Sequence, residues 1–358
     1  MLYSRERCSP EGCTYLSETL DCALRERYYA QVKSFWYTLK RPFLCLAPMA
    51  DVTDPAFREV IARHGKPDVF WTEFVSADGL YHTRALQKMR DEDNPLLKDL
   101  RFTPGERPIV AQVFTASPEA MEYAARLILE LGFDGVDINM GCPHKPIEKQ
   151  GAGAALIKHP ELARELIVSA KKGVGGAIPV SVKTRIGYNR NELETWLPQI
   201  LKEAPAAVTI HARTRKEMSN VPARWEHVKE AVRIRNECCG AGGPLILGNG
   251  DVASRGEVYE KAQETGADGV MIGRGIFGNP WLFSDYVPSD EERLRVLVEH
   301  CRLFDKRCEH KPFAVMKKHF KSYVQGFTGS KALRVALMEA QSTREVEQCV
   351  DDFLKSRV

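Results

Sequence analysis

Three common features are missing from the sequence, and each absence narrows the possibilities. No apolar run approaches the roughly 18–20 residues that a membrane-spanning helix requires, which excludes such a helix. The ten cysteines include no CxxC pair, so free thiols are predicted. A metal held by Cys8, Cys13 and Cys22 is the alternative, although their spacing fits no common zinc pattern. A large net charge is also missing. The formal net charge is +3, so a nucleic acid could bind only at a local basic patch.

The remaining composition is that of a globular protein, with 44% hydrophobic and 28% charged residues. A chain of 358 residues can bury a sizeable core without disulfides. Its first 30 residues mix arginines with acidic residues, which predicts neither a signal peptide nor a transit peptide and favours a cytoplasmic location. Residues 1–40 are expected to form a helical extension whose aromatic residues, among them Phe35, Trp36 and Tyr37, pack on the main fold.

From residue 43, short β-branched or aromatic runs alternate with amphipathic stretches of helical length. The eight predicted strands are 44–48, 69–74, 109–114, 135–139, 180–184, 207–211, 245–248 and 269–272. Apolar strands that alternate with helices indicate a parallel sheet covered by helices. Eight such units predict a (β/α)₈ TIM barrel over residues 41–288. A doubly wound sheet is the alternative, but it has fewer strands, and no GxGxxG fingerprint follows the first strand.

After about residue 290 the strand signals end, and residues 289–358 predict a small C-terminal helical domain with helices near 291–308 and 313–327. On the second of these helices, Lys317, Lys318 and Lys321 share the polar face. Residues 302–334 contain nine Lys or Arg and two acidic residues, a local balance of +7. This block predicts contact with a polyanion, and a solvated helix face is the alternative.

Polar residues follow seven of the predicted strands, at the end of a barrel where active sites lie. Any one of them alone could be a loop cap or a turn. The candidate site residues at these strand ends are Pro48, Met49, Gln112, Asn139, Cys142, Lys183, Arg185, His211, Arg213, Asn249, Gly250, Asp251, Gly273 and Arg274. Because the polar ends recur in phase with the strands, together they predict one site.

The last two strand ends predict a phosphate site, because glycine-rich loops after strands 7 and 8 expose backbone N–H groups to an anion. Gly250 and the run Gly273-Arg274-Gly275 supply such loops. Lys183 and His211 on neighbouring strands could stabilise negative charge on a reduced ring, and Gln112 with the backbone at Pro48-Met49 could pair with the edge of a heterocycle. Flavin mononucleotide (FMN) meets all of these demands, whereas a sugar phosphate meets only the first.

Cys142 stands apart from the other thiols because it lies in a loop, between Gly141 and Pro143, just past strand 4. A cysteine in this place is a candidate nucleophile or general acid, and its spacing from other residues leaves both roles open.

Several segments resemble the tRNA-dihydrouridine synthase family: LAPMADVTD (46–54), DINMGCP (137–143), VKTR (182–185), IHART (210–214) and GRGIFGNPW (273–281). The similarity covers about 43–285 and reaches the helical tail through MKKHF (316–320). It implies a bacterial-type member with an FMN-binding (β/α)₈ barrel and a helical tRNA-binding domain. One loop departs from the family: after Arg213-Thr214, many members have tyrosine and glycine before a tryptophan, whereas this chain has RKEMSNVPARW (215–225).

The resemblance also implies the reaction, an NADPH-dependent oxidoreduction at the C5–C6 bond of uridine in tRNA. NADPH reduces FMN, hydride passes to uracil C6, and Cys142 donates a proton to C5 as general acid. The expected uracil contacts are Asn139 and Arg185, with Arg213 and Lys145 nearby. The expected contacts of the flavin ring are Pro48, Met49, Gln112, Lys183 and His211, and those of its phosphate are Asn249, Gly250, Asp251, Gly273 and Arg274. The tRNA is expected to contact Lys317, Lys318 and Lys321. A monomer without a metal is expected.

Two other functions fit part of the sequence. An FMN barrel that reduces a free pyrimidine or enone leaves the +7 block unexplained. A tRNA-binding protein without catalysis leaves Cys142 and Lys183 unexplained.

Overall fold

The computed structural model describes residues 34–240 and 242–357. Eight strands form one parallel sheet, and each overlaps its predicted range. They are β1 (Phe43–Leu46), β2 (Phe70–Ser76), β3 (Ile109–Phe114), β4 (Gly135–Met140), β5 (Val180–Arg185), β6 (Ala207–His211), β7 (Leu245–Asn249) and β8 (Gly269–Ile272).

The order of the strands closes the sheet into a barrel. Neighbours along the sheet run β1-β8-β7-β6-β5-β4-β3-β2, all parallel. The first and last strands meet at a bridge between Cys45 and Val69, where the Leu46 N–H donates to the Val69 carbonyl at 3.1 Å. The predicted TIM barrel is therefore confirmed, and the doubly wound alternative is excluded.

Helices cover the barrel between successive strands. They are α1 (Pro55–His64), α2 (Ala77–Leu80), α3 (Pro95–Asp99), α4 (Pro118–Glu130), α5 (Lys145–Lys149), α6 (Pro160–Val174), α7 (Leu193–Lys202), α8 (Glu226–Cys239) and α9 (Arg255–Thr265). Serines cap α4 and α9, where the Ser117 and Ser254 side chains accept hydrogen bonds from backbone N–H groups in the first turn. Gly266 ends α9 in the left-handed conformation.

Trp36 closes the amino-terminal end of the barrel. It lies in a short 3₁₀ helix, Phe35–Thr38, and packs against Phe43 and Trp71. Tyr37 is 51% exposed, so the expectation that it packs on the fold was wrong. The rest of the predicted extension, including Cys8, Cys13 and Cys22, lies outside the described residues.

Four helices follow the barrel: α10 (Asp290–Arg307), α11 (Lys317–Tyr323), α12 (Ser330–Glu339) and α13 (Thr343–Lys355). The prediction of one helix over 313–327 was wrong, because a 3₁₀ turn (Phe313–Met316) precedes α11 and the chain leaves the helix after Tyr323. Gly326 and Gly329, both at φ 84°, then turn the chain into α12. The apolar face of this segment is nevertheless buried at Met316, Phe320 and Val324.

The helical region packs directly on the barrel. Helix α10 lies against α1, where His300 stacks on Phe57 with ring centroids 5.0 Å apart. His319 of α11 contacts Phe57 from a second side at 4.9 Å. Among the helices within 34–240 and 242–357, none is long and apolar enough to cross a membrane.

Candidate active site

A cavity of about 550 Å³ opens at the carboxyl ends of the strands. Because parallel strands end together at one mouth of the barrel, residues far apart in sequence meet there. The candidate residues that line it are Pro48, Met49, Gln112, Asn139, Cys142, Lys183, Arg185, His211, Arg213, Asn249, Gly250, Asp251, Gly273 and Arg274. Sequence reasoning missed other lining residues, among them Phe74, Pro143 and Ser219.

Cys142 is held in place through its backbone. The Asn139 side-chain oxygen accepts hydrogen bonds from the N–H groups of Gly141 and Cys142, at 3.1 and 2.9 Å. Arg185 Nε donates to the Gly141 carbonyl at 2.7 Å. Burial raises the pKa of the Cys142 thiol above its ordinary value. The thiol is therefore protonated at neutral pH, as a general acid requires.

Lys183 and His211 line the same cavity but differ in charge: Lys183 is cationic and His211 is neutral. Burial lowers the pKa of Lys183 to about 8, so the ammonium group stays largely charged at pH 7. It donates to the Asn249 side-chain oxygen at 3.0 Å. Burial, with nearby cations, lowers the pKa of His211 well below its ordinary value. His211 is therefore neutral, and its Nε2 accepts a hydrogen bond from Arg213 at 3.1 Å.

The loops after β7 and β8 form the glycine-rich end of the cavity. A side chain at Gly275 would place its Cβ 2.5 Å from the Val252 carbonyl oxygen, so only glycine lets these two loops meet backbone to backbone. Asp251 accepts from Arg213 and, at 3.0 Å, from Arg274. The hydrogen bond from Arg213 is the main cause that lowers the pKa of Asp251.

The loop after β6, in which the sequence departs from the family pattern, is fastened by Arg185. The Nη1 group donates to the carbonyls of Thr214 and Met218, at 3.0 and 2.9 Å. Met218 has a left-handed backbone at φ 52° and is 47% exposed at the rim. Arg185 therefore connects this loop to the Cys142 loop across the cavity.

Four candidate residues do not line the cavity. Lys145 is exposed at the start of α5, just past the Cys142 loop. Lys317 Nζ donates to the Met338 carbonyl at 2.8 Å, and Lys318 Nζ donates to the Asp51 carbonyl at 2.7 Å. Lys321 is exposed on α11. These four lysines therefore lie outside the cavity.

A second lysine fastens the helical region to the barrel mouth, and sequence reasoning missed it. Lys311 Nζ donates to Glu73 at 2.7 Å and to Asp99 at 3.0 Å. The other Glu73 oxygen accepts from the Asp51 N–H. Together with Lys318, this contact holds the loop that follows Met49, a residue of the cavity wall.

Comparison with known proteins gives consistent results. Residues 45–357 match the family model described as "Dihydrouridine synthase". "Probable tRNA-dihydrouridine synthase 2" of Bacillus subtilis (strain 168) is 42% identical over 326 residues, covering 90% of this chain and 97% of that protein. "Probable tRNA-dihydrouridine synthase" of Staphylococcus epidermidis (strain RP62A) is 40% identical over 326 residues, covering 90% of this chain and 96% of that protein.

The fold also resembles those of solved structures. Histamine dehydrogenase from Rhizobium sp. 4-9 superposes with a TM-score of 0.50 at 13% sequence identity, covering 73% of this chain and 48% of that one. The match spans about half the length of that protein, and at this identity it concerns the fold alone.

Proposed function

Because this chain belongs to the dihydrouridine synthase family, we propose that it is a tRNA-dihydrouridine synthase that reduces the C5–C6 bond of uridine in tRNA. The observation that carries the proposal is the shared cavity of a protonated thiol, Cys142, and a buried cation, Lys183. A proton donor and a cation are the groups that this reduction needs, because negative charge builds on uracil when hydride reaches C6 and a proton must then reach C5.

We propose FMN as the cofactor, since the residues of the cavity fit it. The Lys183 ammonium has three donors, and within the described residues its one hydrogen bond goes to Asn249, which leaves donors for a polar ring. Pro48, Met49, Gln112 and His211 would border that ring, and Asn249, Gly250, Asp251, Gly273 and Arg274 would surround its phosphate. When bound, FMN would supply the two electrons of the reduction, and NADPH is the proposed donor to it.

The residues of this chain would orient the uracil and supply the proton. Cys142 donates the proton to C5, and the raised thiol pKa keeps that proton available. Asn139 and Arg185 would hold the base beside Cys142, since within the described residues the second Nδ2 hydrogen of Asn139 and the Nη2 group of Arg185 are left to donate. For Arg213 we propose support of the phosphate end, because its guanidinium is occupied by Val221, His211 and Asp251.

The direct test supplies the purified protein with FMN, NADPH and tRNA that lacks dihydrouridine. We expect a yellow protein with one FMN per chain and dihydrouridine in the digested tRNA by mass spectrometry. Free uridine under the same conditions should give no product. Absence of flavin binding would contradict both the cofactor and the reaction, and turnover of free uridine equal to that of tRNA would favour a small-molecule reductase.

Charge reversal at Lys321 is expected to weaken tRNA binding and to lower the log–log salt slope by about 0.7–0.9 for the lost phosphate contact. Lys321 is the clean position, because Lys317 and Lys318 also donate to backbone carbonyls and their reversal would disturb the fold. The measurement is a salt titration of tRNA affinity for Lys321→Glu. Lys355→Glu, an exposed lysine outside the +7 block, is the matched control. If Lys321→Glu binds tRNA with the affinity and the salt slope of the parent, the tRNA contacts lie elsewhere, and Lys145 is the next candidate.

A further inference from the structure

We propose that Asp137 is a positioning residue that fixes the orientation of the Gln112 and Asn139 amides and thereby holds the Cys142 loop. The inference deepens the proposed function and rests on it for the role of Cys142. Asp137 itself is fully buried in β4 and is not among the residues that line the cavity.

The register of the sheet brings the residues together. Asp137 pairs with Gln112 on β3 and with Ser181 on β5. Residues in register on adjacent parallel strands project from the same face of the sheet, so these three side chains meet beneath the cavity. Asn139 lies two residues further along β4, on the same face and one layer closer to the mouth.

An ordered chain of hydrogen bonds runs from the carboxylate to the Cys142 loop. Ser181 Oγ and Gln112 Nε2 each donate to Asp137 at 2.6 Å. Asn139 Nδ2 donates to Gln112 Oε1 at 3.0 Å. Asn139 Oδ1 is thereby left to accept from the N–H groups of Gly141 and Cys142. Every link therefore runs in one direction, from donor to acceptor toward Asp137.

The direction follows from what each group can do. An ionised carboxylate only accepts, so Gln112 must turn its NH₂ toward Asp137 and its oxygen toward Asn139. Burial raises the pKa of Asp137 to about 6, which leaves it largely ionised at pH 7. Gln112 is 0% exposed and Asn139 is 6% exposed, so bulk water cannot replace a lost partner. Reversal of the chain would point the Asn139 NH₂ at two backbone N–H groups, and the Cys142 loop would have to move.

The test separates the acceptor function of Asp137 from its charge. Asp137→Leu removes the acceptor and keeps the branched shape of the side chain, although the two methyl groups are larger than the two oxygens. Asp137→Asn removes the charge but can keep an oxygen toward Gln112, because the Ser181 hydroxyl can accept from the new amide. We expect about a 10–100-fold loss in kcat for uridine reduction in Asp137→Leu. Asp137→Asn should retain kcat within about threefold.

A second readout needs no tRNA and no turnover. Alkylation of Cys142 by iodoacetamide, followed by peptide mapping of the folded protein, reports the geometry of the loop. We expect Asp137→Leu to change that rate at least about threefold, while Asp137→Asn and the control Ser181→Ala, which removes the other partner of the same carboxylate, leave it unchanged. Because the parent's turnover of tRNA is measured separately, failure of the proposed function would be seen independently of these alkylation rates.

Two results would overturn the proposal. If Asp137→Asn loses as much kcat as Asp137→Leu, the charge of Asp137 matters and its acceptor function does not. If Asp137→Leu has the kcat and the alkylation rate of the parent, neither property matters. If Asp137→Leu does not fold, the double variant Asp137→Asn/Ser181→Ala tests the same point. It removes the Ser181 hydroxyl, and that hydroxyl is what allows the asparagine to keep its oxygen toward Gln112. A parental kcat and alkylation rate in that variant would contradict the ordering role.

Discussion

Replacement of Cys142 by alanine is expected to slow uridine reduction in tRNA by about 10²–10⁴-fold, the usual contribution of a general acid. The flavin and its reduction by NADPH should be unaffected, because the substitution removes one sulfur atom from the rim of the cavity and leaves Lys183 and the loops after β7 and β8 intact. Stopped-flow absorbance would separate the two proposed half-reactions, reduction of the cofactor by NADPH and its reoxidation by tRNA.

The pH dependence supplies an independent check on the same residue. Burial raises the thiol pKa of Cys142, so the acid form persists through neutral pH and is lost as the pH rises through that value. The oxidative half-reaction of the parent should therefore decline on the alkaline side in two parts, one as Lys183 loses its charge near pH 8 and one as the Cys142 thiol ionises, and Cys142→Ala should keep only the first. Cys349→Ala, a half-buried thiol on α13, is the matched control. Turnover of Cys142→Ala within a few-fold of the parent would make Cys142 structural.

Below pH 6.5 buried histidines are expected to lower the stability of the protein, because His211, His300 and His319 cannot take up protons in the folded state. Burial raises the pKa of Glu73 to about 7 and that of Asp137 to about 6, which opposes this trend, so the effect is read from the difference between a histidine variant and the parent. Burial lowers the pKa of His319 to about 3 and that of His300 well below its ordinary value. The unfolded chain titrates near pH 6.5 and binds these protons as the pH falls. The free energy of unfolding should therefore fall by about 1.4 kcal/mol per pH unit for each histidine, or roughly 2 kcal/mol each at pH 5.

Denaturant unfolding at pH 7.5 and pH 5.0 measures this effect. His319→Phe preserves the ring contacts with Phe57 and Phe277 but cannot be protonated, so between the two pH values its free energy of unfolding should fall by roughly 2 kcal/mol less than that of the parent. His82→Phe, at an exposed position, is the matched control and should leave the decline unchanged. An equal decline in His319→Phe and the parent would assign the acid sensitivity to other groups.

Local sequence patterns were sufficient to predict the barrel and most of the cavity. Strand and helix periods are local properties, and a barrel places every strand end at one mouth, so Lys183 and Asn249 could be assigned to one site without coordinates. Asp137 was missed although a signal existed, an acidic residue inside the apolar run Val136-Asp137-Ile138. Its meaning depends on strand register, because only the register shows that Gln112 and Ser181 flank it.

The helical region was harder to predict for a related physical reason. An apolar stripe at helical spacing predicted one helix over 313–327, but the same apolar residues are buried across a 3₁₀ turn and a short helix. Burial of a face does not require an unbroken helix, and the glycines at 326 and 329 decide where the chain turns. The contacts of Lys311 with Glu73 join residues more than two hundred positions apart, and no local pattern reports such a pair.

The hydrogen bonds from Lys311 and Lys318 to Glu73 and Asp51 also bear on how such a protein can be taken apart or recombined. A chimera that exchanges residues 289–358 for those of a relative would keep this junction only if the new segment carried a donor at each of the two lysine positions, because Asp51 accepts through its backbone carbonyl and Glu73 through its carboxylate. Truncation after the barrel would leave the Glu73 carboxylate without its lysine. The helical region therefore cannot be exchanged between members of the family without affecting the loop that follows Met49, a residue of the cavity wall.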